Sequence, residues 1–273
     1  MQRFIGRSAI VTGASRGIGA AIAERLAAEG ASVVITARTL DHHDHLDGSL
    51  NETLERCRRY GGVVEAVVAD LGDPNDRARI VPEALALLGG RVDILVNNAA
   101  AAIYQSMLDY PAKRRSITFE VNVFAPLDLS QAVIPGMIER GDGWIVNVSS
   151  GTARAAAGPP FKTDGVAAKV GMYGTSKAAL NRMTNALALE LHGTGVRINA
   201  VAPRAAVASE GAVALLGGGL DESMFESMEA MVEGTIALCD CGPELTGSAN
   251  VSLDLIESLG LVVLGLDGLP LPL

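Results

Sequence analysis

The chain has 273 residues, of which 49% are hydrophobic and 19% are charged. Its 22 basic and 31 acidic residues give a net charge of −9 without any block of basic residues, which argues against nucleic acid or an anionic membrane as a partner. The length suits one well-buried α/β domain over residues 1–273, because no linker-like stretch divides the chain.

The cysteines and the hydropathy pattern point to the cytoplasm. Cys57, Cys239 and Cys241 are an odd number in a chain too large to need disulfides, so we expect reduced thiols. The first apolar stretch leads at once into the fold, and no window holds the eighteen or so apolar residues of a membrane span. We therefore expect a cytoplasmic protein that has neither a signal peptide nor a membrane segment.

The first motif is a glycine-rich turn. Ser8–Val11 is a short apolar strand, Thr12–Gly19 follows with the sequence TGASRGIG, and apolar residues at 18, 22 and 26 predict a helix that ends at Gly30. The glycines at 13, 17 and 19 let the backbone turn tightly and approach a pyrophosphate, whose charge the N-terminus of the helix meets. The order strand, turn, helix therefore predicts a dinucleotide site.

The second strand, 32–37, predicts which dinucleotide binds. NAD-dependent folds place an acidic residue at its end for the ribose hydroxyl, whereas this chain has Ala37 and then Arg38. Arg16 and Arg38 can grip a 2′-phosphate through charge-assisted hydrogen bonds, so we predict NADP(H). The alternative is that both arginines are solvated surface charges.

Two groups of residues invite a metal interpretation. Asp41–His45 contains three histidines, but their spacing has no regular geometry and they lie in a polar loop. Cys239 and Cys241 could form half of a metal site, but no second half is found in the sequence. We predict no metal.

Further along the chain, strands are expected at 63–69, ending at Asp70, and at 93–96, ending at Asn97-Asn98-Ala99-Ala100. The helix that starts after Asp73 carries Pro82, which is expected to kink or split it. A long helical stretch from about 113 to 140 carries Asn122 and is expected to be interrupted at Pro126 and Pro135.

The strand at 144–148 delivers Ser149 and Ser150 to the sheet edge where ligands bind in open parallel sheets. On the next helix, 173–191, Tyr173 and Lys177 are four residues apart and share one face. A free tyrosine has a pKa of about 10, and a nearby lysine cation stabilises its phenolate, so the pair is a candidate acid/base unit. The spacing alone is common in helices.

The C-terminal part is expected to contain a strand at 197–201, a substrate-covering segment at 205–232 and a last strand near 250–253. The apolar content of residues 205–232 indicates a hydrophobic substrate. The tail, 268–273, is expected either to dock on a neighbouring subunit or to close the sheet edge. The alternation of strands and helices predicts a single-domain, Rossmann-type, doubly wound parallel sheet with helices on both faces.

The motifs TGASRGIG, NNAA, SS and YGTSK occur in the order that resembles the classical short-chain dehydrogenase/reductase family, over about residues 5–255. The resemblance implies that Tyr173 gives the proton, Ser150 orients the substrate oxygen, and Lys177 lowers the Tyr173 pKa and binds the nicotinamide ribose. It also implies that Asn122 holds a water in a proton relay, although a buried Asn usually only satisfies a neighbour.

The resemblance implies in addition a set of cofactor contacts and an oligomer. The contacts would come from Gly13, Ser15, Arg16, Gly17, Ile18, Gly19, Arg38, Asp70, Leu71, Asn98, Ala99, Tyr173, Lys177 and Pro203. The helix of Tyr173 and the one before it would pack on a second subunit, giving a homodimer or homotetramer.

The chain departs from the family pattern at three places. The gap from Ser150 to Tyr173 is 23 positions, so residues 151–172 are read as an inserted loop, which either contacts the substrate or is a surface excursion. Ala100 replaces a usual glycine. Arg204 and Ala208 stand where relatives have a glycine and a threonine that meets the nicotinamide amide, and Ser209 could replace that threonine only if the loop shifts.

We therefore expect an NADP(H)-dependent oxidoreductase that interconverts a carbonyl and a secondary alcohol on a hydrophobic small molecule. One alternative is an NAD(P)-retaining epimerase or dehydratase, which shares the Tyr-x-x-x-Lys pair. Another is a non-catalytic, NADP-binding redox sensor, which the departures near Pro203 would favour. A Ser-His-Asp hydrolase is disfavoured because the chain has no G-x-S-x-G elbow.

Overall fold

The computed structural model of the protein describes residues 2–41, 47–161, 165, 167–209 and 225–271. The described strands, in chain order, are β1 Ser8–Thr12, β2 Ser32–Ala37, β3 Val64–Val68, β4 Ile94–Asn97, β5 Gly143–Val148, β6 Val196–Ala202, β7 Ala206–Val207, β8 Phe225–Glu226 and β9 Ala249–Val251. The described helices are α1 Gly17–Ala28, α2 Leu50–Arg58, α3 Pro74–Leu87, α4 Ala112–Phe119, α5 Ala125–Arg140, α6 Gly171–Glu190, α7 Met228–Leu238 and α8 Ser252–Leu259.

Seven strands form one parallel sheet in the order β3-β2-β1-β4-β5-β6-β9, and β7 pairs with β8 in a separate two-stranded sheet. The central strands are apolar on both faces. Val11 in β1, for example, is in register with Ile35 on one side and Val96 on the other, and none of the three is exposed. Such strands require helices on both faces of the sheet.

The helices supply that cover. One face packs against apolar residues of α1, α2 and α7, and the other against those of α3, α5 and α6. The prediction of a Rossmann-type, doubly wound parallel sheet is confirmed.

Local chemistry explains where several helices begin and end. Ser49 caps α2 by accepting a hydrogen bond from the Glu52 backbone N–H at 3.1 Å. Asp73 caps α3 in the same way, accepting from the Asn75 N–H at 2.9 Å. At the other end of a helix, α5 stops at Gly141, whose φ of 67° is left-handed.

The prolines act differently from the expectation. Pro82 lies inside α3 without splitting it. Neither Pro126 nor Pro135 breaks the long stretch, because Pro126 is in the first turn of α5 and Pro135 lies within it. The irregularity is instead a π-helical turn at Glu120–Phe124. The ring of Pro126 would clash with the carbonyl four residues earlier in an α-helix, and the wider turn at that place relieves the conflict.

The helical run Ala112–Arg140 contains an 18-residue window whose mean hydropathy of 1.3 is high enough to pass as a membrane span. The sequence analysis expected no such window. In that window 44% of the residues are buried, and Leu129, Val133 and Met137 of the run belong to the core beneath the sheet. It is therefore a core helix of the α/β domain.

Two predictions about the C-terminal part are wrong in their boundaries. Residues 228–232 belong to α7, and Ala230, Met231 and Val232 are buried core residues, so they do not cover the substrate. The last strand is Ala249–Val251, since the chain turns into α8 at Ser252. The Ser252 hydroxyl donates to the Glu226 carboxylate at 2.5 Å, which ties α8 to β8.

The segment 261–271 is fixed by a buried ionic cluster. The Arg25 side chain is fully buried, pairs with Glu29 at 2.5 Å and with Glu233 at 2.8 Å, and donates to the Gly265 carbonyl at 3.1 Å. The Leu264 N–H donates to Glu233 at 3.4 Å. The described tail thus packs against α1 and α7 of its own chain, and residues 272–273 lie outside the described part.

Candidate active site

The strand order of the sheet reverses at β1, between β2 on one side and β4 on the other. In open α/β sheets, a ligand crevice forms at such a point, outside the carboxyl ends of the strands. A cleft of about 1020 Å³ lies there and is lined by residues that follow β1 to β6. The predicted site residues can be located against this cleft.

The glycine-rich turn runs from β1 into α1. The Gly13 N–H donates to the Thr36 carbonyl at 2.7 Å, and Gly13 has a φ of 66°, a conformation that favours glycine. A Cβ on Gly19 would overlap the Asn98 side-chain nitrogen and the Gly13 carbonyl. The turn therefore has room for backbone only, and α1 begins directly behind it at Gly17.

Asn98 braces this turn. Its Nδ2 donates to the carbonyls of Thr12 at 2.9 Å and Gly13 at 3.1 Å. The Thr12 hydroxyl in turn accepts from the backbone N–H groups of Asn98 at 3.0 Å and Ala99 at 3.1 Å. The polar groups that follow β1 and β4 are thus used to hold the two loops together beside the cleft.

The two arginines predicted to read a 2′-phosphate differ in how they are held. Arg16 donates to the carbonyls of Asp47 at 2.8 Å and Gly48 at 3.1 Å, so the loop before α2 fixes its guanidinium. Arg38 lines the cleft, is exposed, and makes no hydrogen bond or ion pair with any described residue. The neighbouring residues 42–46, which include the three histidines, lie outside the described part of the chain.

Asp70 and Leu71 line the cleft after β3. The Asp70 carboxylate accepts from the Gly72 N–H at 2.9 Å, and the Leu71 carbonyl accepts from Arg77 at 3.0 Å. Arg77 is nearly buried and also contacts Glu120 at 2.8 Å and Asp128 at 2.6 Å. It therefore links this loop to the π-turn and to α5.

Ser150, Tyr173 and Lys177 meet at the carboxyl end of β5. Ser150 and Tyr173 both line the cleft, and Ser150 lowers the pKa of the Tyr173 phenol. The Ser150 oxygen also accepts from the Thr152 hydroxyl at 2.9 Å. Lys177 is 1% exposed, lies 5.9 Å from the centroid of the Tyr173 ring, and donates to the Val148 carbonyl at 2.6 Å. All three line the cleft.

Burial shifts both titratable groups away from their charged forms. It raises the pKa of the Tyr173 phenol, and Tyr104 adds to the rise, whereas the hydrogen bond with Ser150 lowers it. Burial lowers the pKa of Lys177 to about 7. The expectation that Lys177 lowers the Tyr173 pKa stays a prediction, and the lowering contribution in this structure comes from Ser150.

Asn122 is fully buried in the π-turn Glu120–Phe124. Its Oδ1 accepts from the Ala101 N–H at 2.7 Å, and its Nδ2 donates to the Ala101 carbonyl at 3.2 Å and to Ser176 Oγ at 2.9 Å. The side chain thus joins the loop after β4 to α6, as the alternative expectation for a buried asparagine describes. Asn122 does not line the cleft, nor do Gly17 and Gly19 behind it.

The inserted loop and the Arg204 region are connected. Arg154 donates to the Arg204 carbonyl at 3.2 Å, and the Arg204 N–H donates to Glu226 at 2.7 Å. The Arg204 guanidinium pairs with Asp254 at 2.5 Å. Pro203 and Ser209 line the cleft, while Ala208 does not. In the inserted loop 151–172, Lys162 lies outside the described residues. Positions 210–224 of the expected substrate-covering segment lie outside them as well.

Sequence analysis assigned no role to three cleft residues, although it placed Ser149 at the edge of the sheet where ligands bind. Tyr104 lies on the loop after β4, and its ring centroid is 5.7 Å from that of Tyr173. Thr36 and Ser149 each have a buried hydroxyl oxygen that has no hydrogen-bond partner among the described residues. The only sequence signal for Thr36 and Ser149 is that each is a polar residue at, or just after, the carboxyl end of a buried strand.

The comparisons with known proteins agree with this geometry. The sequence profile of the family described as short chain dehydrogenase matches residues 7–212. Dehydrogenase/reductase SDR family member 4 of Bos taurus is 40% identical over 196 residues, a match that covers 71% of this chain and 64% of the relative. The chain thus aligns with about two thirds of the length of that relative.

Two solved structures share the fold. A short chain dehydrogenase of Mycobacterium thermoresistibile is 27% identical, with a TM-score of 0.81 over 94% of this chain and 89% of that one. A metagenomic short-chain oxidoreductase in complex with NADP is 29% identical, with a TM-score of 0.72 over 91% of this chain and 98% of that one. The glycine turn, the Ser150–Tyr173–Lys177 group and the profile match together place this chain in the short-chain dehydrogenase/reductase family.

Proposed function

We propose that the protein is an NADP(H)-dependent oxidoreductase that interconverts a carbonyl and a secondary alcohol. The observation that carries the proposal is that one cleft contains both the glycine turn ahead of α1 and the Ser150–Tyr173–Lys177 group. A dinucleotide laid from the turn toward Lys177 would bring its reactive end beside an acid/base pair.

The cleft has the features that a nicotinamide dinucleotide needs. Its volume is about 1020 Å³, the turn at Gly19 has no room for a side chain, and the buried hydroxyls of Thr36 and Ser149 lack partners among the described residues. The residues proposed to hold the cofactor are those already predicted, with Thr36 and Ser149 added. When bound, the cofactor would supply or accept the hydride.

The choice of NADP(H) over NAD(H) rests on the end of β2. Arg38 is an exposed cation in the cleft wall without a described partner, and Arg16 lines the same cleft from the glycine turn. An anion placed between them would receive charge-assisted hydrogen bonds. The metagenomic relative in complex with NADP supports the same choice.

In the reducing direction, Tyr173 would give its proton to the carbonyl oxygen. The raised pKa of Tyr173 keeps the phenol protonated, as a general acid must be before the reaction. Ser150 would donate a hydrogen bond to the same oxygen as negative charge develops on it. Protonated Lys177 would stabilise the phenolate that remains and hold the ribose of the nicotinamide half.

Asn122 would act on this chemistry by positioning. Its side chain is committed to Ala101 and Ser176, so it holds the cleft loop after β4 against the helix that carries Tyr173. The earlier expectation that it holds a water in a proton relay stays a proposal.

The substrate is proposed to be a hydrophobic small molecule. The described wall after β6 contributes Ala205, Ala206 and Val207, and the loop after β4 contributes Ala101 and Ala102. A homodimer or homotetramer through α5 and α6 is proposed as well, because Ile138 on α5 and Leu189 on α6 are exposed by 43% and 78%.

The experiment is oxidation of NADPH by the purified protein with a panel of uncharged ketones, compared with Ser150→Ala. We expect turnover with at least one ketone and a loss of about 100-fold or more in kcat for Ser150→Ala, since it removes a donor to the developing oxyanion. Tight NADPH binding with no turnover on any ketone would instead favour the redox-sensor alternative.

A further inference from the structure

The phenol of Tyr104 is a polar group in the cleft that the proposed chemistry leaves unused. It lies in the cleft wall, and its ring packs against that of Tyr173, with 5.7 Å between the ring centroids and an interplanar angle of 57°. Across the part of the chain that the structure describes, no residue forms a hydrogen bond with its hydroxyl. A partly buried phenol normally finds a partner.

The backbone around Tyr104 is held on both sides. Ala101 is fixed by the Asn122 amide, which bonds both its N–H and its carbonyl. The Ile103 carbonyl accepts from the Tyr110 hydroxyl at 3.1 Å, and the Gln105 N–H donates to the Lys169 carbonyl at 2.9 Å. The backbone on both sides of Tyr104 is therefore held before any ligand arrives, and the Tyr173 ring packs against the side chain, as suits a recognition group.

The surroundings of Tyr104 determine which part of a ligand it meets. The charged residues of the described cleft wall are Arg16, Arg38, Asp70, Asp73 and Lys177. The first four follow β1, β2 and β3, on the far side of the cleft from the Tyr173 ring, and Lys177 already bonds Val148. On the part of the wall that its ring shares with Tyr173, Tyr104 thus adds a neutral hydroxyl as a second donor.

Burial also raises the pKa of Tyr104, so its phenol stays protonated and acts as a donor over the neutral range. A donor that sits next to the reacting group selects for an acceptor on the substrate. A site built to hydrogen-bond a substrate group discriminates more strongly than an apolar pocket does, because the unused donor is left unpaired when the group is missing.

We propose that Tyr104 donates a hydrogen bond to a second oxygen of the substrate, beside the reacting carbonyl, and that the enzyme therefore prefers ketones with a neighbouring oxygen acceptor. This inference rests on the proposed function, since it assigns the substrate class of the same site. Tyr104 is a specificity residue in it, while Tyr173 remains the proton donor.

The test uses a matched pair of ketones, hexane-3,4-dione and hexan-3-one. The dione is symmetric, so it presents the neighbouring oxygen whichever carbonyl reacts. We expect Tyr104→Phe to lower kcat/KM for the dione about tenfold more than for the monoketone, which is the loss of one neutral hydrogen bond. Comparing the variant with wild type on each ketone cancels the different intrinsic reactivities of the two compounds.

Two controls separate the hydroxyl from general damage. Tyr60→Phe removes a phenol hydroxyl outside the cleft and should leave kcat/KM for both ketones unchanged. Tyr104→Ala also removes the ring against Tyr173, and it should lower kcat/KM for both ketones. An equal effect of Tyr104→Phe on the two ketones would overturn the proposal.

A second measurement does not depend on turnover. The binding of hexane-3,4-diol and of hexan-3-ol to the NADPH-loaded protein, which cannot oxidise an alcohol, can be followed by calorimetry. We expect Tyr104→Phe to raise Kd for the diol about tenfold more than for the mono-ol. Selective weakening of the diol without turnover on either ketone would refute the proposed activity and keep the role of Tyr104. Failure of wild type to prefer the diol would refute that role.

Discussion

Lys177 Nζ donates a hydrogen bond of 2.6 Å to the carbonyl oxygen of Val148, and this is its one hydrogen bond to the described residues. The side chain is 1% exposed, and burial brings its pKa to about 7. A cation held by a single neutral acceptor costs folding free energy, which active sites tolerate when the group serves the chemistry. The folded protein is thus expected to be less stable than it would be without the Lys177 amine.

Lys177→Met should stabilise the protein, and by more in acid than in alkali. The pKa of lysine is about 10.4 in an unfolded chain, so between about pH 7 and pH 10 the unfolded chain binds more protons than the folded one. The cost of burying the amine is therefore full below about pH 7 and disappears as the pH rises toward 10. We expect a gain of about 1–2 kcal/mol near pH 6 by urea unfolding. The same gain near pH 10 would contradict this assignment.

Gly19→Ala should weaken NADPH binding by about tenfold or more. The added Cβ would overlap the Asn98 side-chain nitrogen and the Gly13 carbonyl, so the turn must open where the cofactor backbone contacts lie. Fluorescence titration with NADPH measures the effect. Gly136→Ala is the matched control, since its Cβ would meet the flexible end of Arg140 and the site lies within α5. That variant should bind NADPH normally and gain up to about 1 kcal/mol of stability.

Arg38→Ala should raise Kd for NADPH about 10- to 100-fold and leave Kd for NADH nearly unchanged, because a charge-assisted hydrogen bond is worth about 1.5–3 kcal/mol. Its Tm should not fall, since Arg38 makes no bond or ion pair within the described ranges. Arg16→Ala should show the same cofactor effect together with a lower Tm, because it also releases the carbonyls of Asp47 and Gly48. Equal loss of NADPH and NADH binding in Arg38→Ala would count against the 2′-phosphate role.

Arg25→Ala should destabilise the protein by about 3–5 kcal/mol. It leaves the nearly buried carboxylates of Glu29 and Glu233 with Arg3, which is partly exposed, as their remaining cation, and it frees the Gly265 carbonyl. Arg58→Ala is the control, since its pair with Glu65 is exposed on both sides and should be worth less than about 1 kcal/mol. The free energy of unfolding of the two variants is measured in urea. A small loss of stability in both would show that the buried ionic cluster around Arg25 does not hold the segment 261–271.

The parts of the site that sequence alone predicted are those that depend on local spacing. The glycines at 13, 17 and 19, and the pair Tyr173 and Lys177, keep their geometry within one turn or one helix, so the pattern specifies it. The positions of the strands were also predicted well, because a buried parallel strand is a short apolar run that the local sequence shows.

The parts that were missed depend on contacts between distant segments. Tyr104 enters the cleft because Asn122 holds Ala101 and because Gln105 bonds Lys169, and no local pattern reports either bond. The π-turn at Glu120–Phe124 was not predicted either, since one wider turn hardly changes the spacing of apolar residues along a helix. The end of the last strand was misplaced because Ser252 and Leu253 fit a strand or a helix equally well until Glu226 is nearby.

The measurement that tests the central claim most directly is deuterium transfer from NADPH that carries deuterium at both positions of C4 to a ketone that wild type reduces. We predict that the product alcohol carries the deuterium on its carbinol carbon. The Tyr173→Phe variant should bind NADPH normally but transfer the deuterium about 100-fold or more slowly, because the proton donor is missing. NADPH oxidation without deuterium in the alcohol, or an undiminished rate in Tyr173→Phe, would contradict the assignment of this cleft as a carbonyl-reducing site.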